Sequence, residues 1–158
     1  MGHGYTVKCN KCGYEFCGYL GVGMLFPVVY QENIDKMKNG VLGPEAKSFL
    51  DKYPNGVIDS EKAVTKCIIC GNYDSVYDFT MYKPKDDTAE LEKVSYKMMD
   101  DIKKSYIKCM EYPHRCTKCG GRSKVYKSFV RKAEKSELKC PKCDGMMGIK
   151  PGYMLMWD

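Results

Sequence analysis

Short runs in which apolar and polar residues alternate dominate this chain, and they predict β-strands. Residues 5–8 are expected to enter a Cys-x-x-Cys turn as a strand, and residues 14–16 to leave it as the next strand. Residues 63–65 and 76–82 are predicted to flank a second turn of the same kind. The pattern therefore indicates small antiparallel sheets that are organised around cysteine turns.

The last third of the chain repeats this order. Residues 122–130 are predicted to form a strand after a third Cys-x-x-Cys turn, and a fourth turn follows. Residues 146–149 should be the final strand. The Pro151-Gly152 pair is expected to break that strand, so that the apolar residues 153–157 dock back as a tail.

Three stretches have helical periodicity instead. Residues 33–38 predict a short helix, and residues 44–53 predict a second one that begins with a proline. Residues 88–112 predict a long helix with apolar positions at every third or fourth residue. These positions are Leu91, Val94, Met98, Ile102, Tyr106 and Cys109. We interpret the stripe as a docking face between two metal-bound parts of the chain; a partner groove is the alternative.

Eight of the ten cysteines occur as Cys-x-x-Cys pairs. Two such pairs place four thiolates around one tetrahedral ion, so four pairs predict two metal sites. Pairing neighbours along the chain gives one site made of Cys9, Cys12, Cys67 and Cys70. It gives a second site made of Cys116, Cys119, Cys140 and Cys143. A cross-brace that joins the first pair to the third is the competing arrangement.

Disulfide bonding is the other role open to these cysteines. The Cys-x-x-Cys spacing is typical of metal sites, and the N-terminus lacks the basic and apolar segments of a signal peptide. We therefore expect thiolate ligands, a reducing compartment and a cytoplasmic protein. Zn²⁺ is the expected ion at both sites, with iron as the alternative. The longest apolar run, residues 20–30, is too short to span a membrane.

The sequence from Cys9 to Phe16, CNKCGYEF, resembles the first metal-binding turn of rubredoxins and rubredoxin-like zinc ribbons. The whole chain resembles a twin zinc-ribbon protein. The resemblance implies small α+β metal-bound domains, in which two antiparallel zinc ribbons are joined by a long helix and the first ribbon carries a helical insertion. The expected domains are the N-terminal ribbon 1–86 with insertion 17–60, the connector helix 87–112 and the basic C-terminal ribbon 113–158.

The formal charge of +6 is unevenly distributed. Residues 1–86 have ten lysines and ten acidic residues, and residues 87–112 have a net charge of −1. Residues 113–158 have a net charge of +7. Four thiolates outweigh one divalent ion by two charges, so two zinc ions would leave the chain with a net charge of about +2. The positive charge of the C-terminal part is therefore the informative feature.

Along the strand predicted after the third turn, Arg122, Lys124 and Tyr126 share one face. Arg131 and Lys132 extend the positive charge into the next turn. Cations beside an aromatic ring suit phosphate contacts combined with base stacking, so these five are the candidate nucleic-acid-binding residues. A solvated strand edge that discourages pairing between sheets is the alternative.

Other residues near the cysteine pairs have weaker signals. Cys17 and Cys109 lie outside the pairs and are expected to be buried small apolar residues rather than ligands. His114 is interpreted as an alternative ligand or as a residue beside the ligands. Six lysines should either offset the thiolate charge or be ordinary solvated side chains. They are Lys8, Lys11, Lys66, Lys118, Lys139 and Lys142.

The sequence gives no support to an enzyme. It has two histidines and no Ser-His-Asp or paired-carboxylate pattern, and a closed four-sulfur site leaves no position for water. The predicted function is a non-enzymatic, zinc-stabilised binding or adaptor module with a protein partner. A nucleic-acid-binding accessory protein that uses the basic C-terminal ribbon is the first alternative. A rubredoxin-like iron electron carrier is the second.

Overall fold

The structure is a computed structural model, and it describes residues 2–86 and 99–157. The described strands are β1 (Gly2–Cys9), β2 (Glu15–Leu20), β3 (Val57–Ile58), β4 (Lys62–Cys67), β5 (Tyr73–Tyr77), β6 (Met81–Pro84), β7 (Tyr106–Met110), β8 (Ser123–Val125), β9 (Leu138–Lys139) and β10 (Met146–Trp157). The described helices are α1 (Phe26–Lys38), α2 (Pro44–Lys52), α3 (Met99–Ser105) and α4 (Phe129–Glu134). None of these helices is long and apolar enough to cross a membrane.

The chain divides into two compact units, and neither is continuous in sequence. The cysteine unit consists of residues 1–23, 62–76 and 113–158. The insert unit consists of residues 24–61 and 77–112. All four Cys-x-x-Cys turns lie in the cysteine unit.

The domain boundaries expected from the sequence therefore differ from these units. The expected ribbon 1–86 contributes to both units, and the described part of the expected connector, residues 99–112, belongs to the insert unit. The physical reason is strand pairing between distant segments, which no local pattern of residues reveals.

The cysteine unit contains two antiparallel sheets with a nested order along the chain. The outer sheet has the order β2-β1-β10-β9 and joins the beginning of this sequence to its end. In it Val7 lies opposite Ile149, and Cys9 lies opposite Met147. The inner sheet has the order β5-β4-β8 and is built from the middle of the sequence.

One hydrophobic core serves both sheets. Val7 and Met147 of the outer sheet, Val64 and Tyr73 of the inner sheet, and Phe129 of α4 are all buried in it. The Phe129 ring stands edge-on to Phe16 of β2, with 6.0 Å between the ring centroids. The two sheets are therefore halves of a single packed body rather than separate ribbons that each fold alone.

The insert unit is a mixed α+β structure. Its sheet has the order β3-β6-β7, again antiparallel. Val57, Ile102 and Tyr106 form a buried cluster against Tyr82. Pro44 begins α2, as its preference for the first helical turn predicts. The prediction of an α+β fold with small antiparallel sheets is thus confirmed.

The predicted connector helix is wrong from Tyr106 onwards. The helix α3 ends at Ser105, and the chain continues as β7, which pairs with β6 through Lys108 opposite Tyr82. The apolar stripe accordingly buries Ile102 and Tyr106 inside the insert unit, and not between two ribbons. Residues 87–98 of the predicted helix lie outside the described residues.

Three strand predictions also need correction. The strand expected over residues 122–130 ends at Val125, because the chain turns there and forms α4. The strand expected over 76–82 is interrupted at Phe79, whose φ of 57° is in the left-handed region. At the C-terminus, the Pro151-Gly152 pair does not end the strand. It falls where the pairing of β10 with β1 is irregular, between Tyr5 and Val7.

Gly18 of β2 permits the close approach of the two sheets. A Cβ atom at this position would lie 2.6 Å from Val64 Cγ2 and 2.9 Å from Phe129 Cε1. We therefore expect Gly18→Ala to lower the free energy of unfolding by about 1–3 kcal/mol through overpacking. Chemical denaturation of the metal-loaded protein measures this loss. Cys17→Ala, at the neighbouring and partly exposed position, is the control and should cost less; equal losses would contradict the interpretation.

Candidate metal centres

The eight paired cysteines form two clusters of four thiols. Within each cluster, the sulfur atoms all lie within 4.8 Å of one another. Centre A contains Cys9, Cys12, Cys140 and Cys143. Centre B contains Cys67, Cys70, Cys116 and Cys119. Each cluster could hold one metal ion.

The grouping expected from neighbouring pairs is wrong, and so is the cross-brace. The first pair joins the fourth, and the second joins the third. The reason is the sheet register: β1 lies beside β10, which places the first and last turns together, and β4 lies beside β8. Cys67 of β4 is opposite Ser123, directly after the third turn.

The spacing of the sulfur atoms fits a tetrahedral ion. In centre A the distances from Cys9 Sγ to Cys143 Sγ and from Cys12 Sγ to Cys140 Sγ are both 3.6 Å. The corresponding distances in centre B are 3.5 and 3.6 Å. A metal–sulfur bond of about 2.3 Å implies an edge of about 3.8 Å between ligands, whereas a disulfide bond is about 2.05 Å long. The clusters therefore have the dimensions of a four-thiolate metal site.

Three of the four turns share one backbone design. A glycine follows the second cysteine with φ near 70°, at Gly13, Gly71 and Gly120. Each of these N–H groups donates to the carbonyl of the first cysteine of its turn, over 2.9–3.2 Å. A left-handed residue is needed to make this bond, and glycine adopts it without steric cost.

The fourth turn has its glycine one position later. Asp144 occupies the usual glycine position, and Gly145 follows it. The N–H of Cys140 donates to the Gly145 carbonyl over 2.9 Å, and the Gly145 N–H donates to Cys143 Sγ over 3.3 Å. The bond from Cys140 has counterparts in the other three turns, where the N–H of the first cysteine also donates to the carbonyl five residues later. The fourth turn therefore closes in the same way without a glycine directly after its second cysteine.

Backbone N–H groups prepare one thiol of each centre to ionise. Those of Cys12 and Lys11 lower the pKa of Cys9 to about 6. The N–H groups of Cys70 and Ile69 do the same for Cys67, again to about 6.

A different thiol of each centre, Cys119 or Cys143, has a raised pKa instead. The Gly145 N–H lowers the pKa of Cys143, but burial and the neighbouring thiols outweigh it and raise the pKa to about 12. A cluster without a cation thus keeps protons, and a bound cation replaces them.

A buried carboxylate supports the third turn. Asp74 of β5 accepts hydrogen bonds from the Thr117 N–H over 3.3 Å and from the Thr117 hydroxyl. Asn72 also donates to Asp74, over 3.0 Å. Because Thr117 lies between the two cysteines of the third turn, Asp74 links that turn to the strand that follows the second turn.

A tyrosine links the two centres. The Tyr73 hydroxyl donates to the Lys139 carbonyl over 3.1 Å, directly before Cys140. Tyr73 is 2 % exposed and follows the second Cys-x-x-Cys turn of the chain, which belongs to centre B. Centres A and B are therefore parts of one hydrogen-bonded body.

Several of the six lysines near the cysteines have defined partners. Lys11 pairs with Asp144 at 2.6 Å, which joins the first turn to the fourth. Lys8 pairs with Glu15 at 3.1 Å. The Lys142 ammonium lies 4.8 Å from the centroid of the Tyr14 ring. The expectation that these lysines offset thiolate charge stays a prediction.

The other candidate ligands lie outside both clusters. Cys17 is partly exposed in β2. Cys109 is exposed in β7, so the expectation that it is buried is wrong. His114 is buried, and its backbone carbonyl accepts the Ser123 N–H over 2.9 Å. Both clusters consist of cysteine alone.

A cationic surface surrounds Tyr126. Lys124 of β8 lies directly opposite Lys66 of β4, so both side chains share one face. The Lys66 ammonium is 5.3 Å from the centroid of the Tyr126 ring, and the Lys132 ammonium is 5.8 Å from it. Arg122 is exposed next to this face. We call these five residues the Tyr126 surface.

The cations of this surface have no ion-pair partner in the part of the chain that the structure describes. Among the described residues, no carboxylate lies within ion-pair distance of Lys66, Arg122, Lys124 or Lys132. Two like charges that face each other across a strand pair oppose folding, so this arrangement is not explained by stability.

Four of the predicted nucleic-acid residues thus belong to the surface. Arg131, the fifth, is exposed on α4. Their role in binding stays a prediction.

The sequence does not predict the residues of the inner sheet that support the metal centres and the Tyr126 surface. The sequence marks Lys66 only as a neighbour of a ligand, and it gives no signal for Asp74 or Tyr73. Each of them acts across a strand pair or a turn that is more than 40 residues distant in sequence. No periodicity in the sequence marks such a contact.

Comparison of this chain with protein-family models, with curated proteins and with solved structures found no match.

The nested grouping makes a distinctive prediction for double substitutions. Cys12→Ser with Cys140→Ser disables centre A twice, so the folded protein should still bind about one metal ion. Cys12→Ser with Cys70→Ser disables both centres and should remove both ions. Elemental analysis of the purified variants measures the metal per chain. Grouping by neighbouring pairs predicts the reverse order and would be supported by that result.

Asp74 should matter for metal retention at centre B. Asp74→Asn replaces one acceptor oxygen facing Thr117 with a donor, so the third turn loses its support. We expect metal affinity at that centre to fall about tenfold, as is usual when a residue behind the ligands is lost. Competition with a chelator measures it. Asp144→Asn is the control, because its side chain is 83 % exposed; a similar effect in both variants would argue against a special role for Asp74.

Proposed function

We propose that this protein is a non-enzymatic, zinc-stabilised module that binds nucleic acid through the Tyr126 surface. The observation that carries this proposal is a cluster of cations around a partly exposed tyrosine ring, with no carboxylate partner among residues 2–86 and 99–157. Phosphates supply the missing negative charge, and a base can stack on the ring.

Zinc is the ion that we propose for both centres, and twin zinc ribbon is the corresponding architecture. Four thiolates close the coordination sphere and leave no position for a reacting water, which favours a structural role over catalysis. Free thiols of this kind suit a reducing compartment, and we propose the cytoplasm. An iron-loaded red protein with visible absorption would favour the electron-carrier alternative instead.

The distribution of charge between the units supports a polyanionic partner. The cysteine unit has 15 of the 26 basic residues and six of the 20 acidic ones, a net charge of +9. The insert unit has 11 basic and 14 acidic residues, a net charge of −3. Two zinc ions with their thiolates would leave the cysteine unit at about +5. The attraction for phosphate therefore belongs to the unit that carries the Tyr126 surface.

The composition of the surface favours binding with little sequence preference. Lysine and arginine contact phosphates without reading bases, and every base can stack on an aromatic ring. The surface has one partly exposed ring and a few cations, which suits a short stretch of single strand.

Binding of a protein partner is a second candidate, and a separate observation favours it. Met24 and Leu25, directly before α1, are 75 % and 66 % exposed, and Val28 in its first turn is 57 % exposed. A cluster of large exposed apolar side chains is typical of a surface that contacts another protein. This candidate becomes the preferred one if nucleic acid does not bind.

Salt dependence tests the nucleic-acid proposal. We expect the full-length, metal-loaded protein to bind short single strands with an affinity that falls steeply with salt, by a log–log slope of about 0.7 per phosphate contact. Lys66→Gln with Lys124→Gln should weaken binding and reduce the slope. The matched control is Lys36→Gln with Lys38→Gln, two exposed lysines of α1 in the insert unit, which should change neither.

The stacking contact is tested in the same titration. Tyr126→Ala should weaken single-strand binding by about 1–3 kcal/mol while leaving the salt slope unchanged, because the ring contacts a base and not a phosphate. A short duplex provides the comparison and should be less sensitive to this substitution. Absence of binding at low salt would remove nucleic acid from consideration and leave the protein partner.

A further inference from the structure

The second Cys-x-x-Cys turn differs from the other three at its tip. The residues between the cysteines of the first, third and fourth turns each include a lysine, whereas the second turn has Ile68 and Ile69. These side chains are 62 % and 73 % exposed. Two adjacent β-branched apolar residues projecting from the surface are unusual, and the core of the cysteine unit does not use them.

The tip is held rigidly. The N–H of Ile68 donates to the Arg122 carbonyl over 3.1 Å, and the N–H of Ile69 donates to Cys67 Sγ over 3.4 Å. A Cβ atom at Gly121 would lie 2.6 Å from Ile69 Cδ1, so the Ile69 side chain rests on the backbone of the facing turn. The two isoleucines are thus fixed by centre B and by the neighbouring turn, although most of their surface faces solvent.

The tip is continuous with the Tyr126 surface. Ile68 follows Lys66 by two residues, a distance of at most about 7 Å along the chain, and it is hydrogen-bonded to Arg122. Two base steps in a stacked strand cover about the same distance, at about 3.4 Å each. Lys118 of the facing turn is exposed as well. A nucleic-acid strand whose phosphates contact Lys66, Arg122 and Lys118 is therefore long enough for its bases to reach the two isoleucines.

We propose that Ile68 and Ile69 form an apolar wedge that enters between two bases of a single nucleic-acid strand bound to the Tyr126 surface. This inference rests on the nucleic-acid-binding function proposed above. Apolar side chains, isoleucine among them, are known to insert between neighbouring bases and to unstack them. The surrounding cations favour a polyanion as the occupant, because positive charges around the contact attract phosphates and do not strengthen binding to an apolar protein surface.

Unstacking has a direct optical signature. The probe is a short single-stranded DNA with 2-aminopurine between adenines, whose fluorescence is quenched by stacking. We expect the fluorescence to rise when the full-length, metal-loaded protein binds at low salt. Ile68→Ser with Ile69→Ser should abolish the rise while two metal ions and the salt slope of binding are retained. Val41→Ser in the insert unit, at a residue that is 71 % exposed, is the matched control and should keep the rise.

The outcomes separate the wedge from the nucleic-acid proposal. Binding without a rise in fluorescence, or an equal rise in the double serine variant, overturns the wedge and leaves nucleic-acid binding in place; the apolar tip then belongs to a protein contact. No binding at all overturns both. If the serine variant loses metal, Ile68→Thr with Ile69→Thr keeps the β-branched shape, and persistence of the full rise in that variant also counts against the wedge.

Discussion

The antiparallel pairing of β1 with β10 is the constraint on which the rest of the cysteine unit depends. It brings Cys9 within 3.6 Å of Cys143, although these residues are 134 positions apart. Closing such a loop costs entropy, but the cost grows only slowly with loop length. The segment between β1 and β10 contains a second pairing of the same kind, β4 with β8. Each of the two strand pairs therefore brings together the four cysteines of one centre.

A small sheet buries little apolar surface by itself, and this structure adds stability in two ways. The sheets share one core around Phe129 and Tyr73, in which each sheet contributes buried residues. Each also ends in a four-thiol cluster, where a bound ion contributes its binding free energy to folding. Asp74 and the backbone N–H groups hold the turns in place, so the clusters are largely formed by the fold itself.

The sequence identified the components of the site but not their arrangement. The eight ligand candidates, the turns and most strands follow from spacing and alternation, because those signals are local. The grouping of the cysteines depends on which strands pair, and β-pairing between distant segments leaves no local mark. For the same reason the sequence does not assign Lys66 to the Tyr126 surface. The strand predicted over residues 122–130 includes the start of α4, because the apolar residues Phe129 and Val130 fit either structure.

The nested order of the four turns also determines when each centre can form during synthesis. Centre B is complete once Cys119 has left the ribosome, whereas the thiols of Cys9 and Cys12 must wait for Cys140 and Cys143. Cys12 and Cys140 are 128 residues apart, which corresponds to roughly 6 to 26 seconds of elongation at about 5–20 residues per second. During that interval the first turn is a pair of uncoordinated thiols on a nascent chain. The centre that begins first is therefore the last to close.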